Sequence, residues 1–375
     1  MKNDFQAKSD LAQALGWVEP QYRGVVPPIY MSSVYERDEF DNYPGGHSYT
    51  RDQNPSYDQG EALLARLEGG EDAMFFSSGM AAATSVFEVL DHGAHVIAPR
   101  KMYFALKMWM RRLEEQGRIQ LTEVDHDDFK GFQNLLLTAD LFWLETPANP
   151  GGELIDMAKW VRAAKERNVL VVADNTLSTP ILSQPIKYGV DIVMHSASKQ
   201  LNGHGDVVAG ALVTAKKNGM WEKLKFERGY RGAILGPMEA WLLLRGMRTL
   251  DLRVRESAES ALFIAESLEN HSRLSAVYYP GLKKHPGHEI AASQMKAFGY
   301  VISICLKGGP EARVRFFQRL RLFKNASSLG GVESLVEHRS RTEGDHSELE
   351  NGLLRLSIGI EDRNDLLNDL IQALD

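Results

Sequence analysis

The stretch HSASKQLNGHGDVVAG, residues 195–210, puts one lysine where its amine can react. An apolar run, DIVMHS (191–196), leads into Lys199, and a second, VVAGALVT (207–214), follows it. A lysine just past the carboxyl end of a buried strand is poorly hydrated, and loss of hydration lowers the pKa of an ammonium. The neutral amine is the form that attacks a carbonyl to make a Schiff base. A lysine whose stem packs on apolar surface while its head reaches water is the commoner arrangement. Here the neighbours matter too. Ser196 and Ser198 offer two hydroxyls suited to a phosphate, and Gly203 and Gly205 let backbone approach a ligand closely.

Other side chains suit the same kind of ligand. Asp174 closes the apolar run VLVVAD (169–174), where a carboxylate is costly unless paired. It can cap the following turn through Asn175 and Thr176, or it can face a protonated pyridine nitrogen. Ser77, Ser78 and Gly79 stand between the strand-like AMFF (73–76) and an alanine-rich helical run. That order presents free N–H groups to a phosphate, and it is also how a plain serine N-cap looks. Tyr103 follows the strand-like AHVIAP (94–99) and can stack on a flat ring or join the core. Arg355 interrupts LLRLSIGI; pointing inward it calls for an anion, pointing outward it needs only water. Tyr49 and Arg51 in YTRDQNPS are two apart, so an extended chain points both the same way, as an anion clamp or as an exposed turn. His285 and His288 flank Pro286-Gly287 with no third ligand near, which reads as a turn, and no metal is expected.

The elements that must position these groups alternate along the chain. Strand-like runs at 73–76, 94–99, 119–124, 140–145, 169–174 and 191–196 are separated by helical patterns such as 57–68, 105–116 and 156–167. This predicts an α/β protein with a mostly parallel sheet covered on both faces. Ligands of such sheets sit beyond the carboxyl ends of the strands, where Glu145, Asp174 and Ser196 each close a run. Residues 1–50, broken by Pro27, Pro28, Pro44 and Gly45-Gly46, read as an arm, 51–248 as the α/β domain and 249–375 as a smaller α+β domain. AWLLLRGMRTLDLRV (240–254) is expected to be one long helix linking the two. With 43 basic against 50 acidic residues the net charge is −7, which argues against nucleic acid or an anionic membrane as a partner. The single cysteine, Cys305, excludes a disulfide framework within the chain. Residues 1–15 lack the apolar core of a signal peptide and no later run approaches a membrane span, so a cytoplasmic protein is expected.

Taken together these motifs, from VVPPIYMSSVYERD (25–38) to RLSIGIED (355–362), resemble the Cys/Met-metabolism family of pyridoxal-phosphate (PLP) enzymes. The resemblance implies the fold type I architecture of PLP-dependent transferases, with a seven-stranded, mostly parallel sheet. It also implies that Lys199 forms the Schiff base with the cofactor, Asp174 holds the pyridine nitrogen and Tyr103 stacks on the ring. Ser77, Gly79, Met80, Ser196 and Ser198 would form the phosphate cup. Tyr49 and Arg51 would reach the phosphate of a neighbouring subunit, in a dimer of dimers with shared sites, and Tyr49 would join Lys199 and Tyr103 as a catalytic side chain. Asn149, Ser328 and Arg355 would grip the substrate carboxylate, and Glu333 in SLGGVES resembles a position linked to γ-specificity.

The implied activity is trans-sulfuration, most like γ-replacement joining an O-acylhomoserine to L-cysteine. Cystathionine or methionine γ-elimination, O-acylhomoserine sulfhydrylation and a cofactor-free scaffold are the alternatives. SLGGVES is the γ-type form, with Leu329 where the β-lyases tend to carry tryptophan. Three stretches depart from the family pattern: RSRTEG replaces the usual proline-containing tail after EH, GHGD carries Gly205, and KMYFALKMW lacks the glycine pair after its tyrosine. They touch the substrate side more than the cofactor side.

Overall fold

In the computed structural model, which describes residues 5–343, 349–350 and 352–375, the strands form two sheets. The first holds β1 (Asp72–Phe76), β2 (Ala94–Pro99), β3 (Ile119–Val124), β4 (Leu141–Glu145), β5 (Leu170–Asp174), β6 (Ile192–His195) and β7 (Gly210–Thr214). Their order is β1-β7-β6-β5-β4-β2-β3. Only β7 runs against its neighbours; the other pairs are parallel. Every residue of β4 is buried because helices cover both faces, so its sequence reads as an unbroken apolar run. Phe142 and Trp143 are adjacent in that strand and enter different apolar clusters, as the two-residue period of a strand requires.

The second sheet holds β8 (Leu274–Tyr278), β9 (Val301–Leu306), β10 (Lys324–Asn325), β11 (Leu335–His338) and β12 (Leu353–Ser357), in the order β10-β11-β12-β9-β8. Its helical cover is Leu250–Leu268, Gly309–Arg319 and Arg363–Leu374, packed through Ile264, Phe316 and Leu366. The long helix expected over 240–254 is instead two helices, Pro237–Met247 and Leu250–Leu268. Tertiary contact explains the break. A Cβ on Gly246 would stand 2.2 Å from the Asn202 carbonyl oxygen, so the end of the first helix lies directly against the loop after Lys199. Arg253 of the second helix then donates to Gly246 O and Gln200 O, both at 2.7 Å, and pins that loop.

Four helices of the amino-terminal half concern the site: α1 (Ala7–Gln13), α2 (Pro55–Glu68), α3 (Gly79–Glu88) and α4 (Phe104–Glu115). Between α1 and α2 the chain has little regular structure, apart from a short 3₁₀ turn and a lone bridge between Val34 and Tyr49. That segment exposes large apolar side chains, among them Tyr22, Val25, Met31 and Phe40. No described helix is long and apolar enough to cross a membrane.

Candidate active site

Parallel pairing places Glu145 and Asp174 opposite each other as the last residues of β4 and β5, and Ser196 follows directly on β6. They border a cleft of about 550 Å³ that the second sheet closes from the other side with Ser327, Ser328, Leu329, Arg339 and Arg355. Glu145 is buried, and Asp174, at the cleft, is half-buried. Burial is the largest cause raising the pKa of Asp174, against hydrogen bonds from Thr176 and the nearby His195, which pull it down. Its Oδ1 does accept the Thr176 N–H at 2.9 Å, so it caps the turn as well as lining the cleft. Beneath it, Nε2 of His195 lies 2.6 Å from Oε1 of Glu68, and both side chains are fully buried. Glu145 is pushed up to about 8 by burial and then by Asp174. Its carboxyl accepts the N–H groups of Tyr103 (2.8 Å) and Asn149 (3.2 Å), so it positions two of the expected site residues.

Lys199 is half-buried, and its Nζ donates to Ser328 Oγ at 2.8 Å. Burial first, then the charge of Arg355 with a smaller share from Arg339, lowers its pKa to about 8, while Glu337 acts the other way. Arg355 is buried and spans the wall: Nη1 donates to Asn149 Oδ1 at 3.1 Å, and Nη2 to Ser328 O at 2.7 Å and to Glu337. The two ends of this network belong to different sheets. Ser328 joins them with φ at 92°, a backbone region that costs a side-chain-bearing residue energy.

The residues present fit pyridoxal phosphate. Ser78 N-caps α3 and takes the Ala81 N–H at 3.0 Å, which leaves the Gly79 and Met80 amides at the cleft, where a helix offers donors to an anion. A Cβ on Gly79 would come within 2.8 Å of the Ser196 hydroxyl, so glycine is what lets helix start and hydroxyl share one ligand. Tyr103, 39% exposed at the start of α4, lines the cleft with room for a ring beside it. A half-buried carboxylate at Asp174 and a low-pKa amine at Lys199 complete the donor set.

Some expected residues lie elsewhere. Ser77 is exposed and outside the cleft lining, because the chain turns at Ser78 and the Ser77 N–H goes to Ala233 O. Ser198 borders the cleft, but its hydroxyl also bridges the Ala209 main chain. Glu333 is exposed in the turn before β11 and does not line the cleft; Leu329 of the same motif does. Tyr49 and Arg51 are exposed and stay outside the cleft of their own chain, with the guanidinium 5.3 Å from the tyrosine ring. Of the atypical tail after His338, Arg339 lines the cleft, and residue 344 lies outside the described residues. Glu337 and Arg339 were not singled out from sequence. Glu337 lies in β11, where only its pairing with Arg355 gives it meaning, and Arg339 follows at the start of the short helix Arg339–Glu343.

The model of the Cys/Met metabolism PLP-dependent enzyme family matches residues 11–375. A curated cystathionine beta-lyase of Coxiella burnetii is 37% identical over 95% of this chain and 94% of its own length. A cystathionine gamma-synthase of Mycobacterium bovis is 40% identical over 95% and 93%. Relatives named as cystathionine and L-methionine gamma-lyases match at 40% and 37%. The crystal structure of cystathionine gamma synthase from Xanthomonas oryzae pv. oryzae with aminoacrylate and cysteine superposes with a TM-score of 0.94, at 38% identity, covering 99% of this chain and 98% of that one.

The electrostatics of Lys199 give a test with opposite signs. In cofactor-free protein, acylation of Lys199 followed by mass spectrometry should have its half-point near pH 8. Arg355→Met removes a charge that disfavours the ammonium and should move the half-point up. Glu337→Gln removes one that favours it and should move it down. Shifts of the same sign in both variants would contradict the assigned causes.

Proposed function

The chain belongs to the Cys/Met metabolism family of PLP-dependent enzymes, and from that premise we propose that it catalyses γ-replacement, joining an O-acylhomoserine to L-cysteine to give L-cystathionine. It is a trans-sulfuration enzyme of fold type I, and its cofactor is pyridoxal 5′-phosphate. When bound, the cofactor supplies a cationic ring that takes up the electron pair left as a proton leaves carbon.

The chain's own residues do the rest. Asp174 offers its carboxylate to the ring nitrogen, backed by Thr176 and His195. Gly79, Met80 and Ser196 hold the phosphate, and Tyr103 covers the ring and keeps water off it. Arg355, steadied by Asn149, Ser328 and Glu337, binds the substrate α-carboxylate and so sets Cα beside Lys199. With a pKa near 8 the Lys199 amine can both accept and return a proton at neutral pH, first at Cα and then at Cβ. Loss of the Cβ proton allows the Cγ–O bond to break, and the acyl group leaves as its carboxylate. The cysteine thiol then gives up its proton to solvent, its sulfur makes the Cγ–S bond, and Lys199 returns protons to Cβ and Cα. We assign the cofactor to residues 51–248 and closure of the substrate side to 249–375, in a cytoplasmic enzyme.

The observation that carries γ-replacement over β-cleavage is Leu329. It is buried in the cleft wall beside Ser328, in the motif SLGGVES, where the β-lyases of the family tend to carry a tryptophan. The test is a side-by-side assay of O-succinylhomoserine and O-acetylhomoserine with cysteine or sulfide, against cystathionine and methionine alone. Replacement with cysteine should show the highest kcat/KM. A clear preference for splitting cystathionine to 2-oxobutyrate would move the assignment to a γ-lyase, and pyruvate from cystathionine would overturn the γ reading.

Tyr49 and Arg51 support an assembly with shared sites. Both are exposed in their own chain, and the arm that carries them shows more apolar surface than a lone subunit usually leaves wet. We assign them to the phosphate of a neighbouring copy, within a dimer of dimers. Mixing inactive Arg51→Ala and Lys199→Ala proteins should restore activity, since a hybrid pair regains one intact site. No recovery despite demonstrated subunit exchange would contradict the shared site.

A further inference from the structure

We propose that Arg339 is a specificity-determining residue, binding a second carboxylate that the substrate carries beyond Cγ while Arg355 binds the α-carboxylate. This rests on the reading of γ-chemistry at the same cleft. The substrate class it selects is an α-amino acid whose γ-substituent ends in a carboxylate.

The argument begins with where a substrate must lie. With its α-carboxylate on Arg355 and Cα beside Lys199, the γ-substituent has to run along the remaining walls. Those walls are mainly apolar, with Phe104, Val208 and Leu329 among them. The charged residues lining the described cleft are Glu145, Asp174, Lys199, Arg339 and Arg355. Arg339 is therefore the cation there that neither the reacting amine nor the α-carboxylate site accounts for.

Its placement is specific. β11 pairs with β12 so that Glu337 faces Arg355, and Arg339 follows two residues on, at the start of the short helix Arg339–Glu343. It is 7% exposed, so its charge is held in the interior and not merely draped over the surface. Burying a guanidinium is expensive, and a wall that keeps one at a cleft is suited to an anion. Glu337 is held closely by Arg355, takes the Ser327 hydroxyl at 3.0 Å, and lies 3.5 Å from Nη1 of Arg339. Glu337 thus lies between the two guanidiniums. The field of Arg339 reaches the bottom of the cleft, where it disfavours the Lys199 ammonium and favours the Glu145 carboxylate.

The test compares parent, Arg339→Met and Arg339→Lys holoenzymes on two pairs matched in reaction. O-succinylhomoserine and O-acetylhomoserine, each with cysteine, differ in the terminal carboxylate, as do cystathionine and methionine. Whichever pair is turned over reports the reaction; the ratio within that pair reports Arg339. The parent should favour the carboxylate-bearing member. Arg339→Met should lower kcat/KM for that member by about 10- to 100-fold, the range for a hydrogen bond to a charged group, with the neutral member within about threefold. Arg339→Lys should fall between, and it keeps the test usable if the methionine variant folds poorly. Replacing cysteine by sulfide separates the sources. A loss on the succinyl member that persists assigns the carboxylate of the acyl group, and one that disappears would overturn the proposal. A parent without preference, or an equal loss on both members of a pair, would overturn the proposal and leave Arg339 as a prop for Glu337.

Discussion

A carboxylate at the end of a central strand is the constraint around which this molecule is arranged. Asp174 sits in the middle of a sheet covered on both faces, where an unpaired charge is among the costliest things a fold can hold. The chain meets part of that cost itself through the Thr176 N–H and through His195, which is held in turn by Glu68. These do not cancel the upward push of burial. A cation set against Asp174 would, and a protonated pyridine nitrogen is such a cation. The same edge carries Glu145, which the charge of Asp174 helps to keep protonated and which orients Tyr103 and Asn149 by accepting their N–H groups. Two carboxyls in adjacent strands thus take different tasks because their surroundings differ.

The second sheet supplies what the first lacks. Arg355 and Arg339 bring positive charge to a cleft whose floor is acidic, and Glu337 ties them together. Ser328 meets Lys199 through its hydroxyl and Arg355 through its carbonyl, at the expense of an uncommon backbone conformation. Strain at one residue is tolerable when the neighbours on both sides fix it. The arrangement couples the Lys199 amine to the Arg355 guanidinium across the boundary between the sheets.

Much of this was legible in the sequence, and the rest was hidden for identifiable reasons. Strands β4, β5 and β6 stand out as apolar runs because both their faces are buried, and polar residues at their ends then mark the ligand edge. Lys199, Asp174, Tyr103 and Arg355 could be picked out because each breaks or closes such a run. The break between the helices at 247 and 250 was not readable, since it depends on Arg253 and on Gly246 lying against a distant loop. β11 was missed for a similar reason. Its four residues gain their importance from the register with β12, which brings Glu337 opposite Arg355. Glu333 is a motif position of another kind, exposed in the turn before β11 and away from the cleft lining.

The measurement closest to the central claim is exchange of the substrate Cα proton with deuterated water by the Asp174→Asn holoenzyme. It isolates the step that the carboxylate is held in place to assist, whichever γ-reaction follows. Without the carboxylate the protonated ring nitrogen is less favoured and takes up the electron pair less well, so exchange should slow by at least about 100-fold, a barrier higher by about 2.7 kcal/mol. Exchange within about twofold of the parent, with cofactor still bound, would mean that Asp174 only caps its turn.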